Sequence, residues 1–227
     1  MNLAAGIFDV ARRLSDRPAV TSDACTATYG ELTGRAARLA GAMRGSLRLS
    51  PGDRIVISLP NRAEFFEVLL GTWTAGLCAV PANSKLHPKE LAYILEKTEA
   101  KALFTTVAQA DALGPGAPTE VVAVDDQRYR TFLKAEPMGP AALAPDDPAW
   151  VFFTSGTTGR PKGAVLTHRN LLFMSQAYFA DIDALDEHDT DLHAAPLSHG
   201  SGLYALPFLL KGAHHFVLGG FDPGRIF

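Results

Sequence analysis

The 227 residues carry 21 Lys and Arg against 24 Asp and Glu, a formal net charge of −3, and are 47% hydrophobic and 20% charged. That balance excludes a disordered chain, which lacks apolar residues for a core, and a dedicated nucleic-acid binder, which needs a basic stripe to meet phosphates. Two cysteines, Cys25 and Cys78, make no disulfide framework and read as reduced residues in a cytoplasmic setting or as small buried hydrophobes.

In chain order, Leu3, Ile7, Val10, Ala11 and Leu14 recur at helical spacing. Asp9, Arg12 and Arg13 interrupt the apolar residues, so this is an amphipathic helix and not a signal peptide. Ala19 to Thr28 carries β-formers in the manner of a hairpin. Thr28 and Glu31 fit a capping box opening a helix through Leu32, Ala36, Leu39, Ala40 and Met43.

Ser50 to Asp53 is turn chemistry, and the apolar run Ile55–Leu59 behind it predicts a strand covered on both faces. Arg62 to Ala75 is helical, with Phe65, Phe66, Leu69, Leu70 and Trp73 as core positions; Gly76 ends it. Short buried strands follow at Cys78–Val80, Ala102–Thr106 and Glu120–Val124, and Pro88 opens a helix with Leu91, Ile94 and Leu95 on its inner face. This strand–helix alternation predicts an α/β fold with a mainly parallel sheet. Gln127 to Pro148, with four prolines and little periodicity, is expected to be a surface connection.

Trp150–Phe153 is a buried strand that runs into Thr154–Gly163. That loop holds four hydroxyls (Thr154, Ser155, Thr157, Thr158), three glycines (Gly156, Gly159, Gly163) and the cations Arg160 and Lys162. Glycines let successive N–H groups approach an anion, and hydroxyls add donors and reach Mg²⁺, so the composition points to phosphate binding. It is not a Walker loop: Pro161 stands where the second glycine belongs, Gly163 where the Ser/Thr belongs, and Ala164–Leu166 looks like a strand. His168 and Arg169 cap or flank a helix over Asn170–Ala180. Strand signal restarts at Leu192–Ala195. His214 and His215, as strand neighbours, face opposite sides. No Cys–His spacing signals a metal site, and no apolar run approaches the ~20 residues that cross a bilayer; the stretch 202–210 is too short and contains Pro207.

The run Phe153 to Gly163, continued by Val165 to Asn170, resembles the signature of the adenylate-forming (AMP-binding) superfamily of acyl-CoA synthetases, adenylation domains and luciferases. Val80 to Leu86 with Asn83, and Ala195 to Gly202 with His199, resemble two further segments of that family; Lys85 stands where arginine is commoner. The resemblance implies a fatty- or aryl-acid–CoA ligase that makes an acyl-adenylate from ATP and passes the acyl group to coenzyme A. A non-catalytic phosphate-binding module and an adenylation domain serving a carrier protein are the alternatives. Carried over by residue, Thr154, Ser155, Gly156, Thr157, Thr158, Gly159 and Lys162 would cradle the ATP phosphates, with Mg²⁺, and His199 would sit by the α-phosphate and the carboxylate. His199 could otherwise be a satisfied core histidine.

The resemblance also implies an N-terminal part of the large domain, with a first subdomain at about residues 50–180 and part of a second in 1–45 and 190–227. In the family the lid with its catalytic lysine follows this region, so the chain alone is expected to be inactive. Its uncovered face is expected to expose Leu206, Phe208, Leu209, Phe216, Val217 and Phe227 and to favour self-association.

Overall fold

The computed structural model describes residues 1–114, 119–154 and 162–226. Its elements are α1 (Leu3–Arg13), β1 (Pro18–Ser22), β2 (Thr26–Thr28), α2 (Tyr29–Gly45), β3 (Arg54–Ile57), α3 (Ala63–Thr74), β4 (Cys78–Pro81), α4 (Pro88–Thr98), β5 (Ala102–Thr105), α5 (Val107–Leu113), β6 (Glu120–Ala123), α6 (Gln127–Phe132), β7 (Pro148–Thr154), β8 (Lys162–Thr167), α7 (His168–Asp181), β9 (Thr190–His193), α8 (Gly200–Lys211), β10 (His214–Val217) and α9 (Pro223–Ile226).

Two sheets result. One has the order β6-β5-β3-β4-β7-β8 and is parallel except for its edge strand β8, which returns antiparallel to β7. The other has the order β2-β1-β10-β9; β1, β10 and β9 are parallel and β2 closes an antiparallel hairpin. The fold is the expected α/β class.

Helix α3 joins the sheets. Every residue of it except Glu64 is buried, because it packs on β3 and β4 on one side while Phe66 meets His193 and His215 of the other sheet at 5.6 and 5.2 Å between ring centroids. A helix buried on nearly every side belongs in such a place. Trp73 Nε1 donates to Ala149 O at 2.8 Å, fixing α3 to β7, and Tyr29 OH donates to Ala213 O at 2.7 Å, fixing α2 beside β10.

The capping box at Thr28 and Glu31 forms as the sequence predicts, and His87 with Glu90 makes another before Pro88. At α7 the cap is Thr167, bonded reciprocally with Asn170. His168 is instead the first helical residue, buried, with Nδ1 accepting from Leu3 N, and Arg169 pairs with Asp146 at 2.7 Å.

Two expectations need correction. Gln127–Pro148 is not wholly a surface connection: α6 buries Tyr129 and Phe132, and Tyr129 OH donates to the buried Glu67 at 2.6 Å. Leu206, Leu209 and Val217 are buried rather than exposed, because α8 packs on α1, α7, β9 and β10. Phe208 is half-buried, Phe216 is exposed, and Phe227 lies outside the described residues. The large exposed apolar side chains are others, among them Phe173, Ile182, Tyr204 and Phe221.

Candidate functional site

The carboxyl ends of β3, β4, β9 and β10 enclose a cleft of about 240 Å³ lined by Asn61, Asn83, Lys85, Ser198 and Phe221 among others. Open α/β sheets bind ligands outside the carboxyl ends of their strands. The cleft is built by side-chain clamps. Asn61, just after β3, donates through Nδ2 to Ala195 O at 2.9 Å and His193 O at 3.3 Å, and accepts from Leu197 N at 2.9 Å. One carboxamide thus fixes the segment leaving β9. On the other wall Asn83 Oδ1 accepts from Lys85 N at 2.9 Å, and Gln109 of α5 donates to Ser84 O at 2.5 Å.

His199 sits at the turn between that segment and α8. Its Nδ1 is 2.9 Å from Ser198 Oγ, and its ring meets Phe152 edge to face, with centroids 6.2 Å apart. The imidazole is exposed, so it is not a core histidine. The tight turn beneath it depends on Gly202, where a Cβ would fall 1.9 Å from Leu197 O.

Phe152 lies on β7, the strand that ends at Thr154. Thr154 is registered opposite Lys162, and Phe153 opposite Gly163. Both Thr154 and Lys162 are exposed. They are strand residues, so the loop proper is shorter than Thr154–Gly163. Ser155, Gly156, Thr157, Thr158 and Gly159 lie outside the described residues. The structure therefore brings together the two ends of the hydroxyl-rich loop: the Thr154 hydroxyl on β7, the strand of Phe152, and the Lys162 ammonium opposite it on β8.

The AMP-binding enzyme family matches residues 7–226. The chain belongs to that family. As a member, it is 35% identical over 218 residues to the feruloyl-CoA synthase of an Amycolatopsis species, covering 95% of this chain and 44% of that one. It is 28% identical over 210 residues to the long-chain-fatty-acid–CoA ligase FadD13 of Mycobacterium tuberculosis, covering 88% and 41%. In structure it is similar to a benzoate CoA ligase from Burkholderia xenovorans LB400, with a TM-score of 0.87 at 27% identity, covering 99% of this chain and 47% of that one. The AMP-binding chain here thus spans less than half the length of these relatives.

One group escapes sequence reasoning. Asp191 and His193 of β9 and His215 of β10 gather within 4.8 Å, buried or half-buried. The sequence signal was an Asp and a His two apart on one strand and a His on another; only the β9–β10 register unites them. No helix among the described residues is long and apolar enough to cross a membrane.

Proposed function

We propose that this chain is the polyphosphate-holding part of an ATP-dependent acid–thiol ligase for a fatty or aryl carboxylic acid. The carboxylate oxygen attacks the α-phosphorus of ATP, the bond to the β-phosphate oxygen breaks, and pyrophosphate leaves. The thiol of coenzyme A then attacks the acyl carbon and AMP leaves. The observation that carries this reading is the registered pair of Thr154 on β7 and Lys162 on β8, with Phe152 of β7 meeting His199.

Lys162, with the hydroxyls and backbone N–H groups of Thr154 to Gly159, would hold the β- and γ-phosphates. An exposed ammonium and hydroxyl at one strand end fit an anion, and charge-assisted bonds are roughly twice as strong as neutral ones. Mg²⁺, when bound, neutralises polyphosphate charge, and the loop hydroxyls are the residues that would reach it. His199, held by Ser198 and Phe152, would meet the α-phosphate and the carboxylate. Such chemistry depends on positioning and charge neutralisation more than on covalent steps. The cleft lined by Asn61 and Asn83 also takes in Ser198, the residue before His199.

The relatives named for feruloyl and long-chain fatty acids frame the acid as aryl or fatty. We also read the two sheets as parts of two subdomains, about 50–180 and 1–45 with 190–227, in a protein whose turnover this chain alone does not complete. The test is pyrophosphate release by the 227-residue chain and by the full product of its gene, with Mg-ATP and ferulate, benzoate or palmitate, with and without coenzyme A. Acid-dependent release and acyl-CoA formation by the full product are expected. No acid dependence with any of the three would overturn the reading.

A further inference from the structure

At the first turn of α8, Ser201 Oγ lies 2.8 Å from Nδ1 of His193, the last residue of β9. The other ring nitrogen, His193 Nε2, lies 2.9 Å from His215 Nδ1 on β10 and 3.3 Å from Asp191 Oδ2. Strand register explains the meeting: β9 and β10 run parallel with Asp191 opposite His215, and residues two apart share a face of a strand. Phe66 packs against both imidazoles, and His193 keeps only 1% of its side chain exposed. Ser201, at the end of this chain of contacts, is half-buried.

A neutral imidazole carries one N–H. The Asp191 carboxylate is nearer to His193 Nε2 than to His215 Nδ1, which is 3.8 Å away, and so favours the proton on His193 Nε2. In that tautomer Nδ1 is a bare lone pair that accepts from the Ser201 hydroxyl. Asp191 Oδ2 is buried with no hydrogen-bond partner among the described residues, and such an exception calls for a cause. A charge that exists only during reaction would supply one: a proton taken from Ser201 makes His193 an imidazolium 3.3 Å from that oxygen. Catalysis requires interactions stronger in the transition state than at rest. Burial alone holds His193 unprotonated, down at about 4, so the ring needs this carboxylate to take the proton.

We propose that Ser201, His193 and Asp191 form a second reactive site, an acyl-transfer centre for carboxylic esters with an aryl or other apolar acyl group. Nucleophile, base and a third group supporting the base stand in order. Ser201 Oγ attacks the ester carbonyl carbon while its proton passes to His193 Nδ1; the bond to the alcohol oxygen breaks, and the alcohol leaves with that proton. Water then attacks the acyl carbon on Ser201 and gives a proton to His193, which returns it to Ser201 Oγ as the carboxylic acid leaves. Asp191 is a positioning residue that offsets the ring's charge in both steps. Of the first N–H groups of α8, those of Gly202 and Leu203 turn back to His199 O, and those of Gly200 and Ser201 have no partner among the described residues. They stand beside the nucleophile, free to donate to the carbonyl oxygen as its charge grows. The acyl class follows from the neighbouring wall. Tyr204 and Phe208, three and seven positions after Ser201, share its face of α8, and Tyr178 of α7 meets both rings, with centroids at 6.0 and 5.9 Å. The site needs no ATP and stands apart from the polyphosphate reading.

The test is hydrolysis of p-nitrophenyl benzoate by the full gene product without ATP or coenzyme A, together with labelling by a fluorophosphonate. A stoichiometric burst of nitrophenolate, and a benzoyl or phosphonyl group on the peptide that contains Ser201, are expected. Ser201→Ala should lose both burst and label. Asp191→Asn should lower kcat by about 10²-fold or more with KM unchanged, a split that loss of packing alone would not produce. Tyr204→Ala should raise KM and leave kcat as it is. Peptide mapping of the parent decides the matter even where a variant does not fold. Absence of burst and label in the parent, a label on another residue, or equal hydrolysis in Ser201→Ala overturns the proposal and leaves a hydrogen-bonded histidine pair. An unchanged KM in Tyr204→Ala overturns the assignment of the acyl class.

Discussion

Phe152 meets His199 edge to face, with the rings at 77° and their centroids 6.2 Å apart. Phe152 belongs to the six-stranded sheet, and His199 to the segment that leaves the four-stranded one. An aromatic contact of this kind contributes about 0.5–1.5 kcal/mol beyond burial, and here it sets the position of an exposed imidazole. Phe152→Leu should keep the packing and lose the edge contact. ATP–pyrophosphate exchange by the full gene product should fall in Phe152→Leu, and fall further in His199→Ala. Equal exchange in Phe152→Leu and the parent would remove the aromatic support from the mechanism.

Asn61 makes three bonds to the backbone between His193 and Leu197. Asn61→Ala leaves two carbonyls and one N–H without that partner. A stability loss of about 1–3 kcal/mol is expected. Hydrogen exchange should show faster labelling at Leu197 and the following turn, with α4 unchanged. Uniform change across the chain would mean that Asn61 acts on the whole fold and not on this segment.

His168 is buried, and its Nδ1 accepts from Leu3 N at 3.2 Å. Burial, then the Met1 ammonium, lower its pKa from 6.5 to about 4, with Asp147 opposing. The folded value lies below the unfolded one, so the unfolded chain takes up the proton first as pH falls. This contribution to stability is intact above pH 6.5 and is lost progressively between 6.5 and 4. The loss is at most about 3 kcal/mol. Urea unfolding across that range should show the step in the parent and not in His168→Asn.

Glu67 is 3% exposed, pairs with Arg35 Nε at 2.7 Å and accepts from Tyr129 OH at 2.6 Å. Burial raises its pKa, and Arg35 and Tyr129 oppose that shift. Breaking a fully buried pair costs roughly 3–5 kcal/mol; Arg35 keeps 42% of its side chain exposed, so about 2–3 kcal/mol is expected for Glu67→Ala. Glu67→Gln, which can still accept from Tyr129, should cost less. Denaturant unfolding of the two variants checks the order.

Elements with their own periodicity were legible in the sequence: α1 from its apolar spacing, β3 from its apolar run, α2 from its capping box. Those that owe their place to distant partners were not. Helix α5 buries none of its residues, so it has no apolar stripe to find. Helix α6 is held by Tyr129, whose partner Glu67 lies 62 positions away. In α8, Gly200, Gly202 and Pro207 signal a break locally, and burial of Leu206 and Leu209 overrides them. At the candidate site, Thr154, Lys162 and His199 could be named from the sequence because each lies in a contiguous motif segment. The Asp191–His193–His215 cluster was not, because it depends on strand register.

The central claim is that Lys162 acts on the polyphosphate and not on the acyl group. Pyrophosphate release by the full gene product, measured across a series of carboxylic acids, tests it most directly. Loss of one donor to a developing oxyanion costs about 10²-fold or more in rate, and that loss is expected for Lys162→Ala, with Thr157→Ala losing less. The order of acid preference should be the same in both variants as in the parent. A changed order in Lys162→Ala, with the rate on the best acid intact, would contradict the claim and assign the loop to acid recognition.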